Sequence, residues 1–102
     1  MGDAIILQIC EFLRGTKVKT AKFIRCKLSD DCIPKMTTAL ANISTLYLSQ
    51  NQLTEGSMEH LIKYRESMPH LRSLILSQNK IIERKHKILI EKLRKLDLNV
   101  SV

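Results

Sequence analysis

Apolar and polar residues follow the same order in two stretches of the chain, residues 43–53 and 71–81. In both stretches apolar residues stand at the first, fourth, sixth and eleventh positions, and Ser, Gln and Asn fill the seventh, eighth and ninth. The second stretch begins 28 residues after the first. A regular recurrence of this kind is typical of repeat proteins, in which each repeat is one supersecondary unit.

Two weaker copies flank this pair. Residues 18–28 repeat the pattern 25 residues before the first strong copy, with Ala21 in place of a Leu and Cys26 in place of the Asn. Residues 93–98 begin another copy only 22 residues after Leu71. The pattern therefore predicts about four repeats that extend over nearly the whole chain.

Each copy is predicted to carry a short strand, because its apolar positions alternate with other residues at a period of two. One face of every strand is therefore expected to be buried. The residues predicted on that face are Ala21, Phe23, Leu46, Leu48, Leu74, Leu76, Leu96 and Leu98.

Helices are predicted between the strands, at residues 31–41, 55–68 and 82–94, and a further helix at residues 3–14 precedes the first strand. Parallel strands that are joined by helices connect in a right-handed sense. The elements therefore predict an α/β coil with the strands on the inside and the helices on the outside.

The ends and faces of the predicted helices carry suitable residues. Asp30 or Asp31 is expected to cap the second helix, which has Pro34 in its opening turn. Thr54 is expected to cap the third. Apolar residues at helical spacing predict the buried faces of the last two helices. The side chains on these faces are Met58, Leu61, Ile62, the stem of Arg65, Ile82, Leu89 and Leu93.

Asn51 and Asn79 occupy the same position after the two strongest strands, and Cys26 occupies it after the first. We expect these residues to form a structural ladder that bonds backbone groups at the turn leaving each strand. The pattern matches the signature L-x-x-L-x-L-x-x-N/C-x-L, so the chain resembles the leucine-rich repeat family. The 25- and 28-residue steps are similar to those of its ribonuclease-inhibitor-like subfamily.

This resemblance implies a right-handed leucine-rich-repeat solenoid, with about four parallel strands on the concave face and helices on the convex face. It also implies that a partner, usually another protein, binds the concave strand face. We expect one domain over residues 1–102, since this length is typical of a single domain. Its parts are a capping helix in residues 1–17, repeats in 18–42, 43–70 and 71–92, and a terminal partial repeat in 93–102.

The residues between the leucines are predicted to point to the concave face. Tyr47 and Ile75 are central there, and an aromatic beside an aliphatic residue with Ser and Thr around them is typical of a protein-binding hot spot. The alternative is that both residue types simply favour strands. The predicted partner-binding residues are Lys22, Ile24, Thr45, Tyr47, Ser49, Ser73, Ile75, Ser77 and Asp97.

The chain is basic, with 17 Lys and Arg against 10 Asp and Glu, a formal charge of +7 and a pI near 9.6. Its densest basic patch lies between residues 80 and 95. The patch consists of Lys80, Arg84, Lys85, Lys87, Lys92, Arg94 and Lys95. We interpret it as a solvated helix face; contact with an acidic protein, nucleic acid or an anionic membrane is the alternative. The patch has no aromatic residue for stacking on bases, which makes nucleic acid the weaker choice.

Catalytic and metal-binding patterns are missing from the sequence. His60, His70 and His86 lack metal-ligand spacing, and three glycines do not make a phosphate-binding loop. The three cysteines form neither a disulfide framework nor a paired CxxC pattern, so reduced, buried thiols are expected. With no signal-peptide pattern at the start, these features predict a cytoplasmic, non-enzymatic protein without cofactor or metal.

Two segments could support self-association, the predicted first helix and the last residues of the chain. The predicted first helix is more apolar than an outer helix requires, so it is interpreted as a cap over the first strand; the alternative is a contact with a second copy or with another partner. Residues 96–102 are predicted to leave an open edge strand, which is a template for pairing with a second copy.

Overall fold

The structure is a computed structural model that describes residues 2–102. Helices alternate with short strands along this part of the chain. The elements are α1 Asp3–Leu13, β1 Thr20–Lys22, a 3-10 turn Asp30–Cys32 that leads into α2 Ile33–Ala39, β2 Thr45–Tyr47, α3 Glu55–Lys63, a 3-10 turn Arg65–Ser67, β3 Ser73–Ile75, α4 Lys87–Arg94 and β4 Asn99–Ser101.

The strands form a parallel sheet in the order β1, β2, β3, β4. Parallel neighbours require a crossover connection, and the helices supply it. The register aligns Ala21, Leu46, Leu74 and Val100 across the sheet, and all four side chains are buried. The fold is therefore mixed α/β with a four-stranded parallel sheet, as the sequence predicts.

The core lies between one face of the sheet and the row of helices. α1 packs on α2, α2 on α3 and α3 on α4, in chain order. Buried residues of the strands and helices form one cluster, to which α1 contributes Ile6 and Cys10. The strand residues predicted to be buried in β1, β2 and β3 and just after them are confirmed.

The last repeat lies four residues later than predicted. Leu74 is paired with Val100, a spacing of 100 − 74 = 26 residues, whereas the sequence pattern placed Leu96 at this position. Leu96 lies in the turn that follows α4, where its N–H donates to the carbonyl of Leu93 at 3.0 Å. Asp97 follows with a left-handed backbone (φ 62°) and precedes the strand. The prediction was wrong because Leu93 and Leu96 imitate a strand pattern at the helix end.

α4 begins five residues later than predicted, at Lys87 instead of residue 82. Ile82 is 54% exposed and does not belong to a buried helix face. Residues 82–86 form a turn, in which the N–H of His86 bonds the carbonyl of Ile82 and Nδ1 of His86 accepts the N–H of Ile82. Leu93 is buried as predicted, Leu89 is half-buried against the core, and Ile90, which the prediction left out, is buried.

The predicted helix caps are correct in part. Thr54 caps α3, since its hydroxyl accepts the N–H of Gly56 at 3.2 Å, and Pro34 lies in the first turn of α2. Capping by Asp30 or Asp31 is wrong: Asp31 is exposed, and the Asp30 carboxylate bonds Thr54 in the next repeat. A carboxylate that binds a distant residue gives no local pattern in the sequence.

Candidate protein-binding face

One face of the sheet has no core beneath it, and we call it the open face. It consists of Thr20, Lys22, Thr45, Tyr47, Ser73, Ile75, Asn99 and Ser101, all of them exposed or half-buried. The pleat sends these side chains away from the core because they alternate with the buried row. The strand register divides them into two rows that run across the four strands.

The central row is formed by Lys22, Tyr47, Ile75 and Ser101, which are register partners in that order. The Lys22 ammonium lies 5.0 Å from the centroid of the Tyr47 ring. At this distance a cation is attracted by the negative face of an aromatic ring. Tyr47 and Ile75 are half-buried, less exposed than the alternation rule predicts, because their strands have neighbours on both sides.

The other row consists of Thr20, Thr45, Ser73 and Asn99. Its small hydroxyl and amide groups donate and accept hydrogen bonds at the surface. The predicted residues Thr45 and Ser73 lie here and are half-buried. Together the two rows place an apolar pair beside a line of polar groups.

Four predicted binding residues lie outside the open face. Ile24 is exposed and Ser77 half-buried, and both follow their strands. Ser49 is buried, so its side chain is not offered to a partner. Asp97 precedes β4, which is a consequence of the wrong register of the last repeat. Ser101 takes the place in the central row that the sequence assigned to Asp97; the alternation of Leu98, Val100 and Val102 is the sequence signal for the correct register.

Asn51 confirms the predicted ladder. Its Oδ1 accepts the N–H groups of Cys26 (2.9 Å) and Leu28 (3.1 Å), and its Nδ2 donates to the carbonyls of Phe23 (2.8 Å) and Leu48 (2.9 Å). The amide therefore satisfies backbone groups in its own repeat and in the repeat before it.

Asn79 makes the same contacts one repeat later. Its Oδ1 accepts the N–H groups of Asn51 and Leu53, both at 3.1 Å, and its Nδ2 donates to the carbonyls of Leu48 and Leu76, both at 2.9 Å. The thiol of Cys26 at the equivalent position contacts only the Ile24 carbonyl, at 3.4 Å. The ladder holds the ends of the strands at a fixed spacing and so fixes the open face.

A left-handed residue precedes each ladder position. Arg25, Gln50 and Gln78 have φ angles of 55°, 59° and 58°. The Arg25 guanidinium donates two hydrogen bonds to Oε1 of Gln50, at 2.9 and 2.7 Å. This pair borders the open face beside Lys22 and was not predicted, since neither residue type favours a left-handed turn.

The basic patch is exposed at every one of its seven residues. Lys80, Arg84 and Lys85 lie before α4 and Lys95 directly after it, so the prediction of a single basic helix face is wrong for these four. Arg94 donates to the carbonyl of Val100 at 3.1 Å. Among residues 2–102, the two acid–base pairs within 4.0 Å involve no residue of this patch.

The cysteines are buried and free, as predicted. Burial and the nearby charge of Glu11 raise the pKa of Cys10 to about 11. Burial, with smaller contributions that include Asp3, raises the pKa of Cys32 to about 12. Both thiols are therefore protonated at neutral pH, which is a poor state for nucleophilic chemistry.

Two structural features are absent from residues 2–102. No cluster of three or more His, Cys, Asp or Glu side chains in this range is arranged to hold a metal ion. None of its helices has the length and the apolarity that crossing a bilayer requires.

The comparisons with known proteins give no relative. No protein-family model matches the chain, and no curated protein matches it either.

Proposed function

We propose that the chain is a leucine-rich-repeat solenoid of the ribonuclease-inhibitor-like type. The sequence signature supports this proposal, and so do the amide ladder of Asn51 and Asn79 and the parallel strands in chain order. In such a right-handed coil the open face of the sheet is the concave surface.

The function that this geometry supports best is binding of a protein partner by the open face, without catalysis. The observation that carries the proposal is the central row, where Tyr47 and Ile75 lie side by side on neighbouring strands with Lys22 beside the aromatic ring. Aromatic and aliphatic side chains that lose their remaining exposed area supply most of the energy at a protein interface. Exposed Lys22 and Arg25 favour a partner with carboxylates around an apolar centre.

The test is capture of partners from a lysate of the source cells with the full chain as bait. The wild type is compared with the double variant Tyr47→Ala/Ile75→Ala, at low and high salt and with nuclease present. The matched control is Ile82→Ala/Ile88→Ala, which removes two exposed apolar side chains outside the open face. We expect a protein that is retained at high salt by the wild type and the control and is lost with the double variant. A set of captured proteins that the double variant leaves unchanged would contradict the proposal.

The basic patch supports a second candidate function, electrostatic binding of nucleic acid or an anionic membrane. The observation in its favour is that all seven cations are exposed. Binding of this kind weakens steeply as salt rises, because counterions are released from the phosphates. RNA or anionic vesicles that bind the wild type in low salt but not the variant Lys85→Gln/Lys87→Gln/Lys92→Gln would support it. If Tyr47→Ala/Ile75→Ala abolishes this binding, the open face and not the basic patch is the binding site.

A homodimer through β4 is the third arrangement that the sequence predicted. The carbonyl of Val100 belongs to the outer edge of that strand and accepts a hydrogen bond from Arg94. A carbonyl that already has a donor is a poor template for another strand. We therefore favour the open face over the β4 edge as the site of association.

A further inference from the structure

Acidic side chains join successive helices at their N-terminal ends. Asp3, the first residue of α1, accepts hydrogen bonds from the N–H (2.8 Å) and the hydroxyl of Ser29, the residue before the Asp30–Cys32 turn. Asp30 accepts bonds from the N–H (2.8 Å) and the hydroxyl of Thr54, the residue before α3. The two contacts are equivalent, one repeat apart.

The third junction follows the same rule. Glu55, the first residue of α3, has a carboxylate oxygen 3.3 Å from Nε2 of His86, the residue before α4. At each junction, an acid that begins a helix, or the 3-10 turn leading into it, contacts the residue that precedes the next such element, and at His86 the contact is with the side chain. We call this arrangement the acid-to-cap ladder. Because the acid has the same place in each step of the ladder, equivalent positions of the helices can be counted from it.

This numbering identifies the positions that face the preceding helix. In the repeats of residues 18–42 and 43–70, the positions two and six residues after the acid are Cys32 and Met36, and Ser57 and Leu61, all of them buried. The hydroxyl of Ser57 donates to Asp30 in the repeat before it. The helix before each of these helices therefore covers the side chains at these positions.

The same positions of α1 are uncovered in residues 2–102. Ile5 and Ile9 are 50% and 37% exposed, and Phe12, almost one turn later, is 84% exposed. These three residues recur at i, i+4 and i+7 and form an apolar strip, which we call the α1 stripe. Gly2, which precedes α1, has the same extended backbone as Ser29 and Thr54, and no carboxylate of the described residues contacts it.

The segment that leads from the end of α1 back to Ser29, beside the first residue of α1, is strongly basic. Residues 14–27 contain six basic residues and no acidic residue. All six side chains are exposed: Arg14, Lys17, Lys19, Lys22, Arg25 and Lys27. An acidic partner that reaches this segment meets a complementary charge.

We propose that the α1 stripe receives an amphipathic helix of another protein, in the position that a helix before α1 would occupy. The partner's apolar face covers Ile5, Ile9 and Phe12, and an Asp or Glu in its first turn reaches the N-terminus of α1 beside Gly2. The partner thereby extends the acid-to-cap ladder by one step. Further acidic residues of the same partner face the basic segment of residues 14–27.

A second copy of the chain fits this face less well. Its α4 begins with Lys87, which repels the N-terminus of α1 where the ladder requires an acid. Pairing of two α1 stripes brings two basic segments together, because residues 14–27 follow directly after each α1. The charges therefore favour a partner of different sequence.

The test selects random 16-residue peptides displayed on phage against the immobilised full chain. Binders are then counted on Ile9→Asp/Phe12→Asp, on the control Ile88→Asp, whose residue is 73% exposed on α4, and on Tyr47→Ala/Ile75→Ala. We expect peptides with apolar residues at i, i+3 or i+4, and i+7 and with an acid in the first turn. A synthetic peptide of this class should bind the α1 variant at least about tenfold more weakly than it binds the control.

Circular dichroism first verifies that every variant is folded. Failure to enrich any peptide, or enrichment of peptides that bind Ile9→Asp/Phe12→Asp as well as the wild type, overturns the proposal. A dimer of the wild type that Phe12→Asp dissociates in sedimentation also overturns it, in favour of a second copy. Because the α1 stripe and the open face carry different variants, loss of one activity is distinguishable from loss of the other.

Discussion

The side-chain amide of Asn79 connects the two backbone turns that leave β2 and β3, since its partners lie in two consecutive repeats. An amide in this position replaces water as the partner of N–H and carbonyl groups that folding has half buried. Removal of the amide leaves those groups without a partner, and each such loss costs more than an ordinary hydrogen bond contributes. The ladder is therefore a source of stability as well as of spacing.

We expect Asn79→Ala to lower the free energy of unfolding by about 3 kcal/mol, because two donors and two acceptors lose their partner. Urea denaturation at neutral pH measures the change. Gln52→Ala is the matched control, since Gln52 is exposed and lies next to the other ladder residue, Asn51. The control should change the stability by less than about 0.5 kcal/mol. Equal effects of the two substitutions would contradict the structural role of the amide.

Asp30 is the residue whose contribution depends on pH. Burial raises the pKa of this carboxyl, but hydrogen bonds from Ser57 and Thr54 outweigh it, so the pKa lies below the ordinary value of 3.8. A depressed pKa in the folded state means that the stabilisation is complete above the ordinary value. It is lost as the pH falls through the folded-state pKa.

We therefore expect Asp30→Asn to be less stable than the wild type at neutral pH, and the difference to shrink below pH 3.8. Asn keeps the size of the side chain but offers one oxygen acceptor instead of two. Urea denaturation of both proteins across the acid range measures the difference. Asp31→Asn is the control, because Asp31 is exposed. A difference that is constant with pH would contradict this role of the charge.

Among the secondary-structure elements, β4 shows how the end of the sheet is protected. Only one side of this strand is paired within the described residues, and Arg94 from α4 bonds the outward carbonyl of Val100. A side chain that occupies an edge carbonyl blocks the pairing of a further strand. The last helix therefore places a cation, Arg94, on the free edge of the sheet.

We expect Arg94→Ala to open this edge, so that the protein associates at concentrations at which the wild type is monomeric. Sedimentation velocity over a range of concentrations measures the association. Lys92→Ala removes an exposed cation from the same helix without a contact to β4 and is the control for net charge. A monomeric Arg94→Ala protein, or equal association of the control, would show that the guanidinium does not protect the edge.

The elements that could be predicted from the sequence are those with a periodic local pattern. β1, β2 and β3 and the amides of Asn51 and Asn79 repeat at regular spacing, and the structure places them as expected. β4 was misplaced because the leucines at the end of α4 have the same spacing as strand leucines. The acid-to-cap ladder joins residues of different repeats and leaves no local pattern. The α1 stripe is apolar in sequence, but only the fold shows which of its residues are uncovered.

The whole molecule is a linear series in which each repeat contacts its neighbours. Strands and helices both follow chain order, so the inner repeats have a neighbour on each side and the outer ones on one side only. In such a series the stability is close to a sum of repeat and interface contributions. Opening of an end repeat breaks one interface, whereas opening of an inner repeat breaks two. The ends should therefore open more often than the middle.

We expect amide hydrogen exchange to show this gradient. The N–H groups of Leu48 and Ser73, which bond between the inner strands β2 and β3, should exchange about tenfold more slowly than those of Phe23 and Asn99, which bond the outer strands β1 and β4 to their neighbours. All four N–H groups donate a backbone hydrogen bond of 2.8 to 3.1 Å, so a missing partner does not produce the gradient. Heteronuclear NMR in deuterated buffer measures the rates residue by residue. Equal protection in the four strands would mean that the repeats open only together, and the nearest-neighbour description would then be wrong. Slow exchange confined to one end would locate an additional stabilising contact there.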